Sequence, residues 1–437
     1  MKQIFVRHLR EMELDQQVTL YGWVRSKRVH GHLVFLDIAD STGNMQAVFE
    51  EGKCPPAMFA EAKGLTLESS VKIQGRLQAH GQQREIAACC LDVIGRATKV
   101  LDPHVRESFD IFNPALQEQL LDNRHFYLRN EKLMAIMKFR HLLMGQVHQW
   151  FRAHDYLEIT APVLTAVPLY NDASAMGLTV DGQDIFLTQC VGFYLEHAVH
   201  AFERVYNIGP SFRGEESRSK RHLMEYWHIK AEMAFADLED VIATVESLIS
   251  FVSVACHEQG GDLAKVLGQS VCLDGVKPPF PRLKYTEAVD ILNDEGVNFE
   301  FGKSLGSDEE ALLSKQFNQP FWVVGIPRSI EPFPYVIDAD DPRVTRTADL
   351  IATNGFGELL GVAEKIQCLS MLDERLEEKA KLGNPHYEWM RDLRNFGCVP
   401  HVGFGMGVER FIRWLINIPH VRDTIPFPRT FRRRIFP

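Results

Sequence analysis

The sequence predicts an α+β protein that joins a small N-terminal β-barrel to a larger domain of mixed strands and helices. Short period-two runs separated by turn residues fill the first hundred residues, whereas strand-like and helix-like periods alternate in the rest of the chain. A length of 437 residues allows two or three domains with separate cores. We expect a barrel domain over residues 1–102, a connector over 103–125 and a second domain over 126–437, with an insertion at about 238–317.

The first domain contains five strand candidates, with one helix candidate between the third and the fourth. Turn residues such as those at 40–43 separate the strands, and the helix candidate is Pro55–Ala62. The strand candidates are Val18–Val24, Leu33–Ile38, Asn44–Phe49, Ser70–Gly75 and Arg84–Ala88. This order predicts an OB-fold, and an SH3-like or other small barrel is the alternative from the pattern alone.

A predicted hairpin in the second domain collects cations around a carboxylate at its open end. Its strand, turn and strand candidates are Tyr206–Glu215, Glu216–Lys220 and Glu225–Phe235. Arg213 and Glu215 are two positions apart and therefore share one face, and Arg221 and His222 enter the second strand from the turn. Such a site would bind a triphosphate through its arginines and an amine through its acid. The alternative is a salt-bridged surface hairpin.

Three alternating glycines near the C-terminus precede a helical pattern. Gly403, Gly405 and Gly407 lead into Glu409-Arg410 and the apolar run 411–416, so Arg410 falls in the first turn of the predicted helix. Glycines in this pattern let a ligand approach the backbone closely. Packing of neighbouring side chains is the commoner reason for such glycines when the motif stands alone.

Composition excludes several classes of protein. The chain has 48 Lys and Arg against 58 Asp and Glu, a net charge of −10, so nucleic acid would have to bind at local basic patches such as 25–28 and 429–434. The eight cysteines are scattered without a C-x-x-C pair, which predicts reduced thiols in a cytoplasmic protein and no structural zinc. We expect no signal peptide and no membrane span, because no run of about 18 apolar residues occurs.

Several segments together resemble the class II aminoacyl-tRNA synthetases. The hairpin is similar to motif 2, residues 401–410 to motif 3, and Tyr156–Pro162 after the helical run 132–152 to motif 1. The segments Tyr387–Gly397, Val399–His401 and Val421–Arg429 resemble the asparaginyl/aspartyl subgroup, and the asparaginyl enzymes most closely. The resemblance covers nearly the whole chain. It implies an anticodon-binding OB-fold, a class II antiparallel-sheet catalytic domain flanked by helices, and a homodimer formed through motif 1.

The resemblance also implies ATP as a substrate and assigns residues to it. Arg213 would hold the α-phosphate and the substrate carboxylate, and Arg410 the γ-phosphate, since a guanidinium makes paired hydrogen bonds that lysine cannot. The other expected ATP contacts are Arg221 and His222 on the β- and γ-phosphates, Glu215 on the adenine amino group, Tyr226 stacked on the ring, and Gly407.

Magnesium is the second expected cofactor, because class II enzymes bend the triphosphate around it. Glu358 matches the metal ligand of the family, and Asp349 precedes it by nine positions. Carboxylates are the hard oxygen ligands that Mg²⁺ prefers. For Asp349 the alternative is a loop or capping acid.

The amino-acid pocket departs from the family pattern. Its expected residues are Gln189, Gly192, Lys365, His401 and Gly403. Gly192 stands where the subgroup has a glutamine that helps to hold the substrate, and Lys365 where it has an arginine that reads the side-chain carboxylate or amide. Val402 replaces a third residue, a glycine. Lysine keeps the positive charge but lacks the paired donors of a guanidinium. We therefore expect asparagine or aspartate to be activated weakly, or a related acid or amide to be preferred.

The barrel residues that match the subgroup predict an anticodon with a central uridine (U35). Phe35 would stack on the uridine, Gln46 would hydrogen-bond its edge, and Arg28 would contact phosphate. The alternatives are a barrel core position for Phe35 and an idle solvent-facing position for Gln46.

The sequence therefore predicts an ATP-dependent ligase of the asparaginyl/aspartyl-tRNA type. One alternative is a paralogue that passes its aminoacyl-adenylate to ammonia or another acceptor that is not tRNA. Another is a tRNA- or protein-binding regulator without activity, which is disfavoured because four expected site residues are retained, namely Arg213, Glu215, Glu358 and Arg410.

Overall fold

The computed structural model describes residues 2–99, 101, 110–168, 174–214, 216, 219–273 and 275–435. The chain divides into an N-terminal unit, Met1–Phe109, and a C-terminal unit, Asp110–Pro437. No helix among the described residues is long and apolar enough to cross a membrane. All eight cysteines are free thiols.

The N-terminal unit is a closed five-stranded barrel. Its elements are α1 Val6–Glu11, β1 Gln17–His30, β2 Leu33–Asp40, β3 Gly43–Glu50, α2 Pro56–Gly64, β4 Ser70–His80 and β5 Gln83–Gly95. The strand order is β1-β2-β3-β5-β4, with β1 also paired to β4, and β3 and β5 are parallel. Alternate residues point inward to form the core, as Val34, Leu36 and Ile38 do on β2. The prediction of an OB-fold with a helix between the third and fourth strands is confirmed.

The C-terminal unit is built on an eight-stranded sheet. Its strands lie in the order β12-β13-β14-β15-β16-β11-β10-β6, and the pairs are antiparallel except β12/β13 and β10/β6. A second, three-stranded sheet has the strand order β7-β9-β8. The strands are β6 Leu157–Glu158, β7 Leu164–Thr165, β8 Met176–Val180, β9 Gln183–Leu187, β10 Arg204–Phe212, β11 Glu225–Ala234, β12 Arg282–Lys284, β13 Phe321–Val324, β14 Thr347–Ala352, β15 Gly357–Lys365 and β16 His401–Gly407.

Helices pack on this sheet. They are α3 Gln117–Asp122, α4 Arg124–Tyr127, α5 Glu131–Ala153, α6 Gly192–Phe202, α7 Leu238–Val266, α8 Tyr285–Asp294, α9 Ser307–Leu313, α10 Leu369–Glu378, α11 Glu388–Leu393 and α12 Val408–Leu415. Single 3₁₀ turns lie at 114–116, 314–316, 385–387 and 421–424. Asn130 and Asp237 cap α5 and α7 by accepting hydrogen bonds from first-turn N–H groups, which fixes where the two longest helices begin.

Two predicted segments belong to the same compact body as the sheet. Residues 110–125, which fall in the predicted connector, contain α3 and lie in the C-terminal unit. Within the predicted insertion at 238–317, α7 packs against α5 and against β15 and β16, and β12 adds an edge strand to the sheet. The predicted insertion therefore contributes both an edge strand and a covering helix to the sheet.

Candidate active site

The hairpin predicted from residues 206–235 is present as β10 and β11. The strands pair in register from Arg204 opposite Met233 to Phe212 opposite Glu225. Beyond that pair, the N–H of Arg213 donates to the carbonyl of Met224 at 2.9 Å, while the Met224 N–H turns to the carbonyl of Arg429 at 2.8 Å. Because the C-terminal segment takes this hydrogen bond, β10 ends at Phe212, earlier than predicted, and Arg213 begins the connecting loop. Glu215 lies outside the described residues, so its adenine contact stays a prediction.

A cleft opens at this end of the hairpin. The predicted residues Arg213, Arg221, His222, Tyr226, Glu358, Gly407 and Arg410 all line it. They come from the hairpin, from β15 and from the junction of β16 with α12. Residues almost 200 positions apart therefore form one site, as the resemblance implied.

Arg213 and Tyr226 form one wall of the cleft. The Arg213 guanidinium carbon lies 5.8 Å from the centroid of the Tyr226 ring. A cation at this distance interacts favourably with the aromatic face. The two side chains thus support each other where a nucleotide base and its first phosphate would lie.

Arg410 lies in the first turn of α12 and is held from two sides. Its Nη1 is 3.2 Å from Glu358 Oε2 and donates to the Glu358 carbonyl at 3.1 Å, while Nη2 is 3.3 Å from His222 Nε2. Burial, and then the charges of Arg410, Arg221 and Arg213, lower the pKa of His222 to about 4. The imidazole is therefore neutral near pH 7 and accepts a hydrogen bond from Arg410, which orients the guanidinium into the cleft.

Arg221 is held by a residue that the sequence did not single out. Its guanidinium forms an ion pair with Glu310 of α9, a side chain that is only 3 % exposed. The same carboxylate accepts a hydrogen bond from the Glu358 N–H at 2.9 Å. Glu310 therefore connects the phosphate-facing arginine to β15. In the sequence it stands among acids at the start of a helix, where acids are common because they favour the helix dipole.

The Glu310→Gln variant is expected to raise the KM for ATP about tenfold while changing kcat much less, because the ion pair with Arg221 is replaced by a weaker hydrogen bond to a neutral acceptor. Asp308→Asn, an exposed neighbour in the same turn, is the matched control. Steady-state pyrophosphate exchange gives the KM for ATP and the kcat of each variant. Equal KM values in the two variants would show that Glu310 does not position Arg221.

Glu358 and Asp349, the predicted metal ligands, belong to a group of acids on β14, β15 and nearby loops. Burial, and then Glu358, Glu331 and Glu310, raise the pKa of Asp349 well above its usual value. Burial and Glu358 raise the pKa of Glu331 to about 7. Although burial opposes it, Arg410, Arg221 and Arg213 hold the pKa of Glu358 below its usual value.

This mutual repulsion fits a divalent cation. Four carboxyl groups influence one another, and the arginines compensate chiefly Glu358. Hard oxygen ligands in such a group suit Mg²⁺, so Asp349 and Glu358 stay the proposed metal ligands.

The three glycines of β16 do not all serve the same purpose. β16 lies beside β11 with Gly403 opposite Glu232 and Gly405 opposite Lys230. A Cβ at Gly403 would lie 2.4 Å from the Glu232 carboxyl carbon, and one at Gly405 would lie 2.6 Å from Lys230 Cδ. These two glycines make room for side chains of β11, so the packing explanation holds for them. Gly407 has ordinary clearance and lines the cleft.

Val402 belongs to the other face of β16. Because side chains alternate along a strand, Val402, Phe404 and Met406 point into the apolar core, where they are at most 2 % exposed. The sequence comparison counted Val402 among the changes around the pocket. Its side chain points away from the face that carries Gly403, so that inference was wrong.

A buried charge cluster occupies the far end of the predicted amino-acid pocket. Lys365 Nζ lies 3.0 Å from Glu232 Oε1 and 3.6 Å from Glu196 Oε2. Glu196 also forms an ion pair with Arg394 and lies 3.3 Å from His401 Nε2. All five side chains are buried. Lys365 was predicted to read the substrate side chain, but the structure gives its ammonium two carboxylate partners of its own. The sequence missed Glu196, Glu232 and Arg394, which lie far apart in the chain.

The two remaining pocket residues form a wall near α6. Gln189 is buried, and its Nε2 donates to Ser174 Oγ at 2.7 Å. Gly192 begins α6, and its N–H donates to Cys190 Sγ at 3.2 Å. A Cβ at Gly192 would lie 3.6 Å from Lys230 Cε, so this wall faces the lysine of β11.

His200, Cys398 and His401 converge beside the charge cluster, although the sequence shows no zinc-type spacing. One ligand atom from each lies within 4.8 Å of the others. Although burial lowers it, Cys398 and Glu196 raise the pKa of His401 to about 9. Because its Nε2 lies 3.3 Å from Glu196 Oε1, we assign His401 to the charge cluster.

The barrel brings Arg28, Phe35 and Gln46 together on its outer face. The Arg28 guanidinium carbon lies 5.6 Å from the Phe35 ring centroid, and Arg28 Nη2 donates to Gln46 Oε1 at 2.7 Å. Gln46 Nε2 donates to Glu85 Oε2 at 2.8 Å. Phe35 is half-buried between the inward-pointing Val34 and Leu36, so it is not a core residue of the barrel. The three residues form a platform of the kind on which a base can stack.

An arginine-lined cleft on an antiparallel sheet and a barrel with an aromatic platform in the same chain are the parts of a class II tRNA synthetase. The family model "tRNA synthetases class II (D, K and N)" matches residues 116–431, and the model "OB-fold nucleic acid binding domain" matches residues 18–94. The chain belongs to this class II synthetase family and is an enzyme of this type.

Within the family, the chain is similar over its whole length to asparagine–tRNA ligases. The asparagine–tRNA ligase of Desulforamulus reducens is 35% identical over 99% of both chains, and that of Thermococcus kodakarensis is 37% identical over 98% of this chain and 97% of its own. The crystal structure of asparaginyl-tRNA synthetase from Pyrococcus horikoshii complexed with asparaginyl-adenylate superposes with a TM-score of 0.91, at 34% identity and full coverage of both chains.

Proposed function

We propose that this chain uses ATP to activate asparagine or a closely related acid and transfers the acyl group to tRNA. The observation that carries the proposal is the convergence of Arg213, Arg221 and Arg410 beside Glu358 in one cleft. The similarity to asparagine–tRNA ligases over the whole chain supports it. The comparisons give no support to transfer of the acyl group to ammonia or to an inactive regulator.

The cleft can promote the first step by positioning and by stabilising charge. A carboxylate oxygen of the acid attacks the α-phosphorus, the new P–O bond forms, and the bond to the departing pyrophosphate breaks. No protein nucleophile is needed, so the arginines act on the charge that builds on the phosphates. In this proposal Arg213 contacts the α-phosphate, Arg221 and Arg410 contact the outer phosphates, and Tyr226 stacks on adenine. Mg²⁺ held by Asp349 and Glu358 would neutralise phosphate charge.

Acyl transfer to tRNA and formation of a homodimer would use surfaces outside the cleft. Acyl transfer would require tRNA bound at the outer face of the barrel around Phe35. A homodimer would form through motif 1, where β6 is an edge strand of the eight-stranded sheet and Leu157 is 46 % exposed. Exposed edge strands commonly pair with another chain. We place the enzyme in the cytoplasm, where tRNA is charged and the free thiols stay reduced.

ATP–pyrophosphate exchange with each amino acid and with succinate and succinamate, followed by charging of total tRNA, tests the proposal. We expect Mg²⁺-dependent exchange with at least one acid of the asparagine and aspartate group, and acylation of one tRNA class. Exchange without tRNA charging, together with product formation from ammonia, would favour the other acceptor. No exchange with any acid would contradict the proposed function.

The Phe35→Ala and Gln46→Ala variants are each expected to weaken binding of an anticodon stem-loop with a central uridine by about tenfold. Loss of stacking on one base costs roughly 1–3 kcal/mol, and an unpaired amide costs a similar amount. Pyrophosphate exchange should be unchanged. Fluorescence anisotropy with labelled stem-loops measures the binding, and Tyr21→Ala, an exposed aromatic residue on β1, is the matched control. Equal binding of stem-loops with any central base would contradict the assignment.

A further inference from the structure

Lys230 lies between the nucleotide end of the cleft and the buried charge cluster. Tyr226, His228, Lys230 and Glu232 occupy alternate positions of β11 and therefore share one face. Tyr226 and His228 line the cleft, whereas Glu232 belongs to the charge cluster. Successive side chains on one face of a strand are about 7 Å apart. A substrate that reaches from the α-phosphate towards the cluster must therefore pass Lys230.

The Lys230 ammonium is directed into this passage. The side chain lies over Gly405, where a Cβ would be 2.7 Å from Nζ, and reaches towards Gly192, where a Cβ would be 3.8 Å from Nζ. It is half-buried, and among the residues that the structure describes no carboxylate lies within ion-pair distance of its Nζ. Glycine on both sides leaves the ammonium accessible to a bound molecule.

The nearby carboxylates are already compensated. Glu196 and Glu232 face three cations, namely Lys365, Arg394 and His401. Lys230 adds a fourth positive charge, and Arg213 lies at the other end of the passage. A partly desolvated site with this balance favours an anion and disfavours a second free ammonium.

We propose that Lys230 selects a carboxylic acid of the size of aspartate that presents an anionic or hydrogen-bond-accepting group, and no free ammonium, beside the carboxylate that reacts with ATP. The inference rests on the proposed function, because the acid is the one that this cleft adenylates. A dicarboxylate meets the requirement, with one carboxylate at the α-phosphate and the other near Lys230. An ordinary zwitterionic amino acid would bring its ammonium against that lysine.

Four matched acids test separately the effect of the substrate ammonium and the effect of a second carboxylate in place of an amide. Asparagine and aspartate carry the ammonium, whereas succinamate and succinate are the same acids without it. We expect the wild-type enzyme to show at least tenfold higher kcat/KM in pyrophosphate exchange for the pair without the ammonium. Faster exchange with asparagine than with succinamate overturns this inference and leaves the proposed function standing. Absence of exchange with all four acids overturns both.

Variants of Lys230 test whether this side chain causes the preference. Lys230→Glu is expected to reverse the ratio between succinamate and asparagine, and Lys230→Met is expected to reduce it. Lys277→Glu, which makes the same change at an exposed lysine, should leave the ratio as in the wild type. Thermal stabilisation by ATP confirms that each variant is folded with an intact nucleotide site. An unchanged ratio in Lys230→Glu overturns the inference.

Discussion

The Arg410→Ala variant is expected to form adenylate at about one hundredth of the wild-type rate or less, with its fold intact. Arg410 projects from the first turn of α12 and is oriented by Glu358 and His222. A guanidinium held in this way stabilises phosphate charge that grows in the transition state, in a site partly shielded from water. Arg213→Ala should have an effect of the same order for the same reason.

Two comparisons make the result specific. Arg410→Lys keeps the charge but loses the paired donors, so its rate should fall between those of alanine and the wild type. Arg282→Ala removes an exposed arginine that pairs with Glu239 and should leave the rate unchanged. Pyrophosphate exchange at saturating ATP provides the rates. Near-normal exchange in Arg410→Ala would show that the motif 3 arginine does not act on the phosphates.

The barrel, the hairpin and the phosphate-facing arginines could be predicted because their signals are local. Period-two alternation and turn residues gave the strands, and Arg213 and Arg410 stand in short motifs with recognisable spacing. The strand end at Phe212 could not be predicted, because it depends on a hydrogen bond between Met224 and Arg429. That partner comes from a remote part of the chain.

The residues that sequence reasoning missed act through long-range ion pairs. Glu310 lies 89 positions from Arg221, and Glu196 lies 198 positions from Arg394. In the sequence, Glu310 and Glu196 look like ordinary acidic residues on helices, because their basic partners are remote. Lys230 was missed for a related reason, because a polar residue at an alternate strand position is ordinary until the facing strand shows glycine there.

The buried charge cluster leads to the largest expected effect on stability. Glu196 is completely buried and compensates Arg394, Lys365 and His401. Glu196→Ala leaves these cations with Glu232 alone, and removal of one partner from a buried ion pair typically costs about 3–5 kcal/mol. Glu196→Gln, which keeps the volume, should cost less. Glu377→Ala, at an exposed position on α10, should change the free energy of unfolding by less than about 0.5 kcal/mol.

The difference between the wild type and Glu196→Ala should also depend on pH. Glu196 helps to raise the pKa of His401 from its usual value of 6.5 to about 9, although burial lowers it. A raised pKa stabilises the fold fully below the pKa of the unfolded state, and the contribution is lost as the pH rises through the folded value. The difference should therefore be largest below pH 6.5 and should shrink towards pH 9. Urea denaturation at a series of pH values measures it. A difference that stays constant over this range would show that the His401 imidazole does not depend on Glu196 for its charge.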